Sequence, residues 1–262
     1  MKRILTVISV FVSLASFLAR SQHTPYISGE KITYDIHYGI ITAGVATLEL
    51  KSTVEDGKEA LHSYFLAKTT GLADVLFKVR DVYQSYINPD TELPIKSIRD
   101  ISEGRYKKYN VVLFDHDTRK DSAILNSDLT GEHIAQKGIH DILSCFYYFR
   151  KHYLASNYPF KKGEMITIMT WFTDELYPIK MIYAGTEEVK TRAGKIKCYK
   201  FNPVTEVGRL FKTEEDVSFW FSADKNYLPV KIRFDIFVGA FTVDVTEYEG
   251  LAYPLEINSR ND

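Results

Sequence analysis

The chain has 262 residues, with 33 Lys and Arg against 34 Asp and Glu, which gives a formal charge of −1. Hydrophobic residues make up 45% and charged residues 26% of the chain, as in ordinary globular proteins, so disorder, collagen-like repeats and a disulfide scaffold are excluded. The near-neutral charge, without a basic block, differs from that of dedicated nucleic-acid-binding proteins, and we expect no nucleic-acid partner.

The start of the chain has the pattern of a secretory signal peptide. Basic residues are followed by an uncharged apolar run from Ile4 to Ala19, and small residues stand at positions 19 and 21. The run is short for a membrane span. We therefore predict a cleaved signal over residues 1–21, one mature domain over residues 22–262, and export to the periplasm of a Gram-negative envelope.

The predicted mature chain is mildly acidic, because removing three basic residues leaves 30 Lys and Arg against 34 acids, a formal charge of −4. Its most apolar later stretch, Leu143 to Leu154, is interrupted by Arg150, Lys151 and His152. We therefore expect no transmembrane span in the mature protein.

Most of the mature chain alternates between apolar and polar residues, the period of a strand with one buried face. Turn sequences separate the alternating segments, and the intervals are too short for helical crossovers. We predict about ten to twelve antiparallel strands. The clearest alternation lies in Ile32–Tyr38, Val79–Ile87, Ile95–Ile101, Ile166–Trp171, Val217–Phe221 and Val230–Val238.

Three segments depart from this pattern. Leu72–Phe77 is predicted to form one short helical turn, and Asp115–Lys137 is predicted to be a hairpin end followed by a mobile loop. Gly138–Ala155 has helical spacing and is predicted to be one long helix that packs an aromatic face onto the sheet. Its apolar face is formed by Ile139, Ile142, Leu143, Phe146, Phe149 and Tyr153.

Two segments of the sequence resemble one another. Asp81–Ile101 aligns without a gap with Asp216–Ile236, and seven of 21 positions are identical. Each segment has a strand, a turn, and a second strand opened by proline, which is tolerated at the first position of a strand. The similarity indicates either two related halves of one large sheet or two hairpins that share turn chemistry by chance.

Motifs along nearly the whole mature chain, from about Gly29 to Leu251, resemble the exported domain-of-unknown-function 3108 family. The tail Ala252–Asp262 has no counterpart that we can assign. The motifs are Tyr34-Asp35-Ile36-His37-Tyr38-Gly39, Ala43-Gly44-Val45-Ala46, Lys78-Val79-Arg80-Asp81, Asp141-Ile142-Leu143-Ser144 to Arg150, Ala193-Gly194-Lys195-Ile196-Lys197-Cys198, Phe219-Trp220-Phe221 and Leu228-Pro229-Val230.

The resemblance implies a fold and no established activity. The strand-turn-strand unit of this family, which ends in a Leu-Pro step, is similar to the hairpins of periplasmic lipoprotein carriers and their outer-membrane receptors. Those proteins are unclosed antiparallel half-barrels, with helices over the concave face and an apolar cavity between. The resemblance therefore implies a mainly β protein here, with one large antiparallel sheet covered by the Gly138–Ala155 helix and by loops.

The cysteines and nucleophiles do not form a recognisable catalytic group. Cys145 and Cys198 could pair in an oxidising compartment or remain separate buried thiols, since pairing cannot be argued from spacing. Cys145 and His152 lie two helical turns apart, about 10 Å, too far for the direct hydrogen bond that activates a thiolate. The sequence has no Gly-x-Ser-x-Gly motif. We expect no catalytic residue.

Metal and cofactor motifs are equally weak. Asp115, His116 and Asp117 are consecutive, so on a strand they would alternate between faces, and we predict a solvated turn there. His133 and His140 have no carboxylate at ligand spacing, and no glycine-rich loop leads into a helix. We expect neither a metal nor a cofactor.

Aromatic residues, 14% of the chain with 18 tyrosines, exceed what one face of a sheet needs. They indicate either an aromatic core or a concave apolar ligand site. Arg80, Asp81 and Arg150 are predicted to form a structural latch between helix and sheet rather than a substrate clamp. The residues predicted to line a ligand site are Tyr34, Tyr38, Phe65, Tyr83, Phe146, Phe149, Phe219, Phe221 and Phe234.

Two functions follow as hypotheses. The first is an exported protein, not an enzyme, that binds or carries an apolar or amphipathic ligand such as a lipid or a lipoprotein acyl chain. The alternative is an envelope interaction or assembly module, which binds a protein partner through a sheet edge or Asp115–Lys137. A hydrolase of lipids or glycans is less favoured, because no acid, base and nucleophile converge in the sequence.

Overall fold

The computed structural model describes residues 23–156, 158–204, 216–235 and 239–258. The predicted signal peptide lies outside these described residues, so its cleavage stays a prediction. The short helix is α1 (Gly71–Leu76), and the longer helix α2 (Ile142–Phe149) continues into a π-helical turn (Arg150–Leu154). The strands are β1 (Lys31–Tyr38), β2 (Ile41–Glu55), β3 (Lys58–Thr69), β4 (Arg80–Ile87), β5 (Pro94–Glu103), β6 (Tyr106–Asp115), β7 (Ser122–Ser127), β8 (Gly131–Gln136), β9 (Met165–Phe172), β10 (Glu175–Thr191), β11 (Gly194–Pro203), β12 (Val217–Ser222), β13 (Pro229–Asp235) and β14 (Ala240–Glu249).

The fourteen described strands form one antiparallel sheet that is not closed into a barrel. Strands β1 to β8 follow one another to one edge, and after α2 the chain starts again at the other edge with β9. Strands β9 to β14 then return to the middle, where β14 pairs with β1. The predicted large antiparallel sheet is confirmed, with fourteen strands rather than ten to twelve.

The predicted mobile loop within Asp115–Lys137 is wrong, because most of this segment is a regular hairpin. Strands β7 and β8 pair from Ser122 with Gln136 to Ser127 with Gly131. Ala123 and Leu125 are fully buried on one face of β7, whereas β8 is polar because it lies at the edge of the sheet. These two strands were not predicted, because many of their residues are small or polar.

The predicted helix over Gly138–Ala155 is too long, since the helical residues are Ile142–Leu154. Asp141 fixes the start: its Oδ1 accepts hydrogen bonds from Leu143 N at 2.8 Å and Ser144 N at 2.9 Å. Ser144 Oγ in turn accepts from Asp141 N at 3.0 Å, which completes a capping box. The short helical turn predicted at Leu72–Phe77 is confirmed as α1.

His140, just before the helix, covers part of the open edge of β9. Its backbone N donates to Met169 O at 3.1 Å, and Trp171 N donates to His140 O at 2.7 Å. On the other edge strand, the ring of His133 lies 4.9 Å from the Trp171 ring. The two sheet edges therefore approach each other here, where one bridging residue covers part of the edge of β9 and β8 stays paired with β7 alone among the described strands.

Helix α2 fills the concave face of the sheet. Leu143 packs into a cluster with Ile32 and Val230, and Phe149 packs into a second cluster with Phe201. Tyr147 belongs to a third cluster with Leu50 and Ile87. Through these three clusters the helix joins parts of the sheet that are distant from each other. Burying each of these side chains stabilises the fold by roughly 1.5–3 kcal/mol.

The two similar segments of the sequence fold as the hairpins β4–β5 and β12–β13. Their second strands begin at Pro94 and Pro229, as the pattern predicts. Hairpins at both places are expected whether the segments are related or similar by chance, so both interpretations stay open.

We predict opposite pH effects from the neighbouring residues Asp141 and His140. Burial raises the pKa of Asp141 to about 6 and lowers the pKa of His140 to about 4. Between pH 4 and pH 6 the folded state retains a proton on Asp141 that the unfolded chain releases, so this group makes the protein less stable as pH rises. The folded state lacks a proton on His140 that the unfolded chain binds, so this group makes it more stable as pH rises.

Asp141→Asn removes the first effect and leaves the second. The difference in free energy of unfolding, variant minus unsubstituted chain, should increase by up to about 3 kcal/mol from pH 4 to pH 6. Urea denaturation at a series of pH values measures it, and His140→Gln, which should change the slope in the opposite direction, is the matched control. Parallel pH profiles for all three proteins would contradict the prediction.

Candidate functional site

A fully buried arginine fixes the end of the helix. The guanidinium of Arg150 donates to both carboxylate oxygens of Glu30, at 2.6 and 2.8 Å. It also donates to Pro25 O at 3.1 Å and to Asn226 O at 2.8 and 3.2 Å. Glu30 immediately precedes β1 and Asn226 lies in the turn between β12 and β13, so Arg150 joins the helix to the N-terminal segment and to both halves of the sheet.

Aromatic rings surround the Arg150 guanidinium. Its central carbon lies 5.4 Å from the ring centres of Tyr26 and Phe146, and 5.7 Å from that of Tyr147. A cation over the face of an aromatic ring is attracted by the electrons of that face. The rings therefore replace water around the parts of the guanidinium that carry no hydrogen bond.

A pocket of about 290 Å³ opens beside this arginine, between the N-terminal segment, the ends of β2 and β4, and the helix. We call it the end pocket. Its floor is apolar and is formed by Tyr26, Leu50, Leu61, Ile87 and Tyr147. Its rim is polar and includes Ser28, Ser52, Glu92 and Lys151.

Glu92 organises the charges at the rim. It lies in the turn between β4 and β5 with a positive φ of 62°, and its carboxylate is largely buried. One carboxylate oxygen bonds Lys151 Nζ, and the other lies 2.6 Å from His152 Nε2. Burial lowers the pKa of Lys151 and, together with the nearby Lys151 charge, that of His152. The pocket thus combines an apolar floor with a compact ionic group at its mouth.

The space beneath the helix is almost completely filled. The cavity there measures about 30 Å³, and Tyr83, Arg99, Asp141 and Phe172 are among its lining residues. That volume is the size of one water molecule. The apolar cavity that the resemblance implies under the helix is therefore almost filled in this structure, whereas the end pocket measures about 290 Å³.

The residues predicted to line a ligand site are distributed over several parts of the core. Tyr34, Phe149 and Phe221 are buried in core clusters, and Tyr83 lines the small cavity. The partly buried Phe65, Phe146 and Phe219 pack against those clusters. Tyr38 contacts Phe241 of β14, and Phe234 pairs with the same residue. None of the nine is among the described residues that line the end pocket, so a ligand role for them stays a prediction.

The three residues of the predicted latch are not brought together. Asp81 accepts a hydrogen bond from Ser102 N at 3.1 Å, and Arg80 is exposed at the start of β4. Arg150 lies at the opposite end of the sheet, where Glu30 is its carboxylate partner. Glu30 was absent from the predicted set because a lone acid before a strand carries no signal in the sequence.

The cysteines and the acidic turn take ordinary structural positions. Cys145 and Cys198 are both free and buried, so they do not form a disulfide bond. Asp115 Oδ1 accepts hydrogen bonds from the backbone N of Asp117 and Thr118, both at 2.9 Å, which forms a turn as predicted. Among the described residues, no group of three His, Cys, Asp or Glu side chains could hold a metal ion.

We predict that Glu30→Gln lowers the free energy of unfolding by about 3–5 kcal/mol, because it leaves the Arg150 charge buried without its counter-ion. Chemical denaturation measures this loss. Arg150→Lys should be nearly as harmful, since one ammonium group cannot reproduce the five donors of a guanidinium. Glu49→Gln, which removes partly exposed ion pairs with Lys31 and Lys51, is the control and should cost less than about 1 kcal/mol. Equal losses for the two glutamate variants would contradict the importance of the buried pair.

Comparison with known proteins places the fold and the family. The crystal structure of a beta-barrel-like protein of domain of unknown function DUF1849 from Brucella abortus is similar over 86% of this chain and 98% of its own, with a TM-score of 0.56 and 9% sequence identity. At that identity the likeness shows the fold alone. No curated protein matches the sequence. Among the described residues, no helix combines the length and the apolarity needed to cross a bilayer.

The family model described as a protein of unknown function (DUF3108) matches residues 33–246, which include every described strand except parts of β1 and β14. The match covers most of the sequence and agrees with the resemblance carried by the motifs. The chain therefore belongs to the DUF3108 family.

Proposed function

We propose that this protein is an exported binding protein of the cell envelope, which holds the apolar part of an amphipathic small molecule in the end pocket. The observation that carries the proposal is the contrast between the apolar floor of the pocket and the charged rim beside it. Ligand pockets are mainly apolar, with a few polar groups that fix the orientation of the ligand.

The size of the pocket limits the ligand. Its volume of about 290 Å³ is near the lower end of the range of small-molecule sites, about 300–1,000 Å³. One short acyl chain or one aryl group fits such a space, whereas the several chains of a whole lipid anchor do not. We therefore favour a ligand with a single apolar group.

The rim favours a polar head group on the same ligand. Glu92 contacts both Lys151 and His152, so one partner can turn toward a ligand while the other stays with the carboxylate. The hydroxyl groups of Ser28 and Ser52, also among the lining residues, add hydrogen-bonding capacity to the pocket. An amphipathic molecule would thus enter with its apolar group first.

The alternative function, binding of a protein partner, is supported by the edge strand β8. This strand pairs only with β7 among the described strands, and Ile134 on it and Leu129 in the preceding turn are about half exposed. An exposed edge can receive an extended peptide as an additional strand.

The pocket proposal predicts that dodecanoate binds the purified chain and that Ser52→Trp weakens binding by at least about tenfold, or ~1.4 kcal/mol. Ser52 is an exposed rim residue, so a large ring there should block the mouth without disturbing the floor. Isothermal titration calorimetry measures the affinity, and thermal unfolding checks that the variant remains folded. Leu176→Trp, at an exposed position on β10 away from the pocket, is the control. Equal affinity in the blocked and control variants would exclude the end pocket as the site.

The edge proposal predicts that Ile134→Pro abolishes capture of an envelope protein, because proline removes a backbone donor needed for strand pairing. Pull-down from an envelope extract measures capture, with Ser52→Trp as the matched control that should still capture the partner. Undiminished capture by Ile134→Pro would count against strand addition at β8.

A further inference from the structure

The end of the sheet opposite the end pocket carries a group of exposed apolar side chains. Helix α1 buries none of its residues, and Val75 and Leu76 are 81% and 75% exposed. Ile40, in the turn between β1 and β2, is fully exposed. We call this group the apolar tip, and it consists of Ile40, Ile41, Leu72, Val75, Leu76 and Phe77.

The apolar tip is held in place by hydrogen bonds from its surroundings. Thr70 N donates to Ala43 O at 3.0 Å, which attaches the start of α1 to β2. Thr69 Oγ1, at the end of β3, donates to Asp74 Oδ1 of α1 at 2.8 Å. Gly104 N donates to Lys78 O at 2.8 Å, which attaches the end of the segment to the β5–β6 turn. The exposed side chains therefore belong to an ordered surface.

Such a surface is unusual for a protein in water. Monomeric proteins rarely expose large contiguous apolar patches, and such patches generally mark sites that bind a partner or a membrane. A six-residue helix is also too short to be stable by itself. Its large apolar side chains are 69–81% exposed and contribute little burial to the fold, which indicates that they are covered by something outside the described chain.

Exposed basic residues surround the apolar tip. Lys68 and Arg80 lie directly opposite each other on β3 and β4, a like-charge pair that is unfavourable unless an anion is nearby. Together with Lys78, Arg105 and Lys107, they have no ion pair within the described part of the chain.

The acids at this end of the sheet are fewer, and apart from the exposed Asp100, which lies opposite Tyr109, they are engaged in local contacts. Asp74 is bonded by Thr69, and Asp81 accepts from Ser102 N. A hydrogen bond joins Glu103 to Asp81, and burial together with the Asp81 charge raises the pKa of Glu103. The charge presented around the apolar tip is therefore positive.

We propose that the apolar tip docks on a bilayer that contains anionic lipids, with its apolar side chains in the boundary between head groups and acyl chains and its basic residues at the level of the phosphates. Exposed apolar residues flanked by Lys and Arg are the combination that binds such surfaces. Tyr106 and Tyr109, both 54% exposed on the adjacent β6, suit the same boundary. The tip consists of a turn and a short helix whose side chains are highly exposed. Such side chains can insert between lipid head groups without a preformed groove to receive them.

This inference does not depend on the proposed ligand. The apolar tip and the end pocket lie at opposite ends of strands such as β1, whose eight residues span roughly 25 Å. Failure of dodecanoate binding would leave the membrane proposal standing, and failure of membrane binding would leave the pocket proposal standing.

The test is sedimentation of the purified chain with vesicles of phosphatidylglycerol and phosphatidylethanolamine, or of phosphatidylcholine alone. We expect at least about tenfold stronger partition onto the anionic vesicles, decreasing as salt is added. Val75→Ser combined with Leu76→Ser, and separately Lys78→Glu combined with Arg80→Glu, should each reduce this partition by about tenfold or more. The matched control is Leu176→Ser combined with Lys180→Glu, two exposed positions on β10, which should partition like the unsubstituted chain.

A second measurement locates the contact. Leu76→Trp places an indole at the exposed tip, whereas the two native tryptophans, Trp171 and Trp220, are buried. Its fluorescence emission should move to shorter wavelength when anionic vesicles are added. Absence of sedimentation with either vesicle type, unchanged partition of both tip variants, or an unchanged emission of Leu76→Trp would each overturn the proposal.

Discussion

The structure depends on one buried ion pair, between Arg150 at the end of the helix and Glu30 at the start of the first strand. Transferring two charges out of water costs several kcal/mol per ion, so such a pair is stable only when hydrogen bonds satisfy the remaining donors. Here Pro25 and Asn226 supply backbone oxygens, and Asn226 also exchanges hydrogen bonds of 2.9 Å with the backbone of Tyr253. One guanidinium thus links the N-terminal segment, the helix, a turn of the second half of the sheet and the C-terminal tail.

The position of the helix determines where open space remains. Because Leu143, Tyr147 and Phe149 fill the concave face, the volume beneath the helix holds no more than one water molecule. The π-helical turn directs Arg150 into the protein and leaves Lys151 at the mouth of the end pocket. The architecture therefore has a filled centre and two chemically different ends: a pocket with an ionic rim at one end, and an apolar surface with basic surroundings at the other.

The sequence predicted what depends on local patterns. The alternation of apolar and polar residues predicted most strands, and the helical spacing of apolar residues predicted the helix. The helix begins later than predicted, at Ile142, because Asp141 caps it. The hairpin β7–β8 was not predicted, because β8 lies at the edge of the sheet and most of its residues are polar or small. The candidate site was less predictable, because Tyr26, Leu61, Ile87 and Lys151 are distant in sequence and meet only through the curvature of the sheet. Among the residues that line the pocket, Tyr147 carried the one signal that the sequence could have offered, because it lies in the same aromatic helix as Phe146.

The pairing of the first strand with the last has a consequence for the order of folding. Lys31 of β1 lies opposite Glu249 of β14, so the middle of the sheet forms only when nearly the whole chain is present. Bringing together ends so far apart carries a large loop-closure entropy and favours slow folding. Until β14 arrives, β1 and β13 each present an unpaired edge in the centre of the protein, where other chains could add as strands. A chain that stops before Ala240 would therefore be exposed to aggregation at its centre, however well each half is formed.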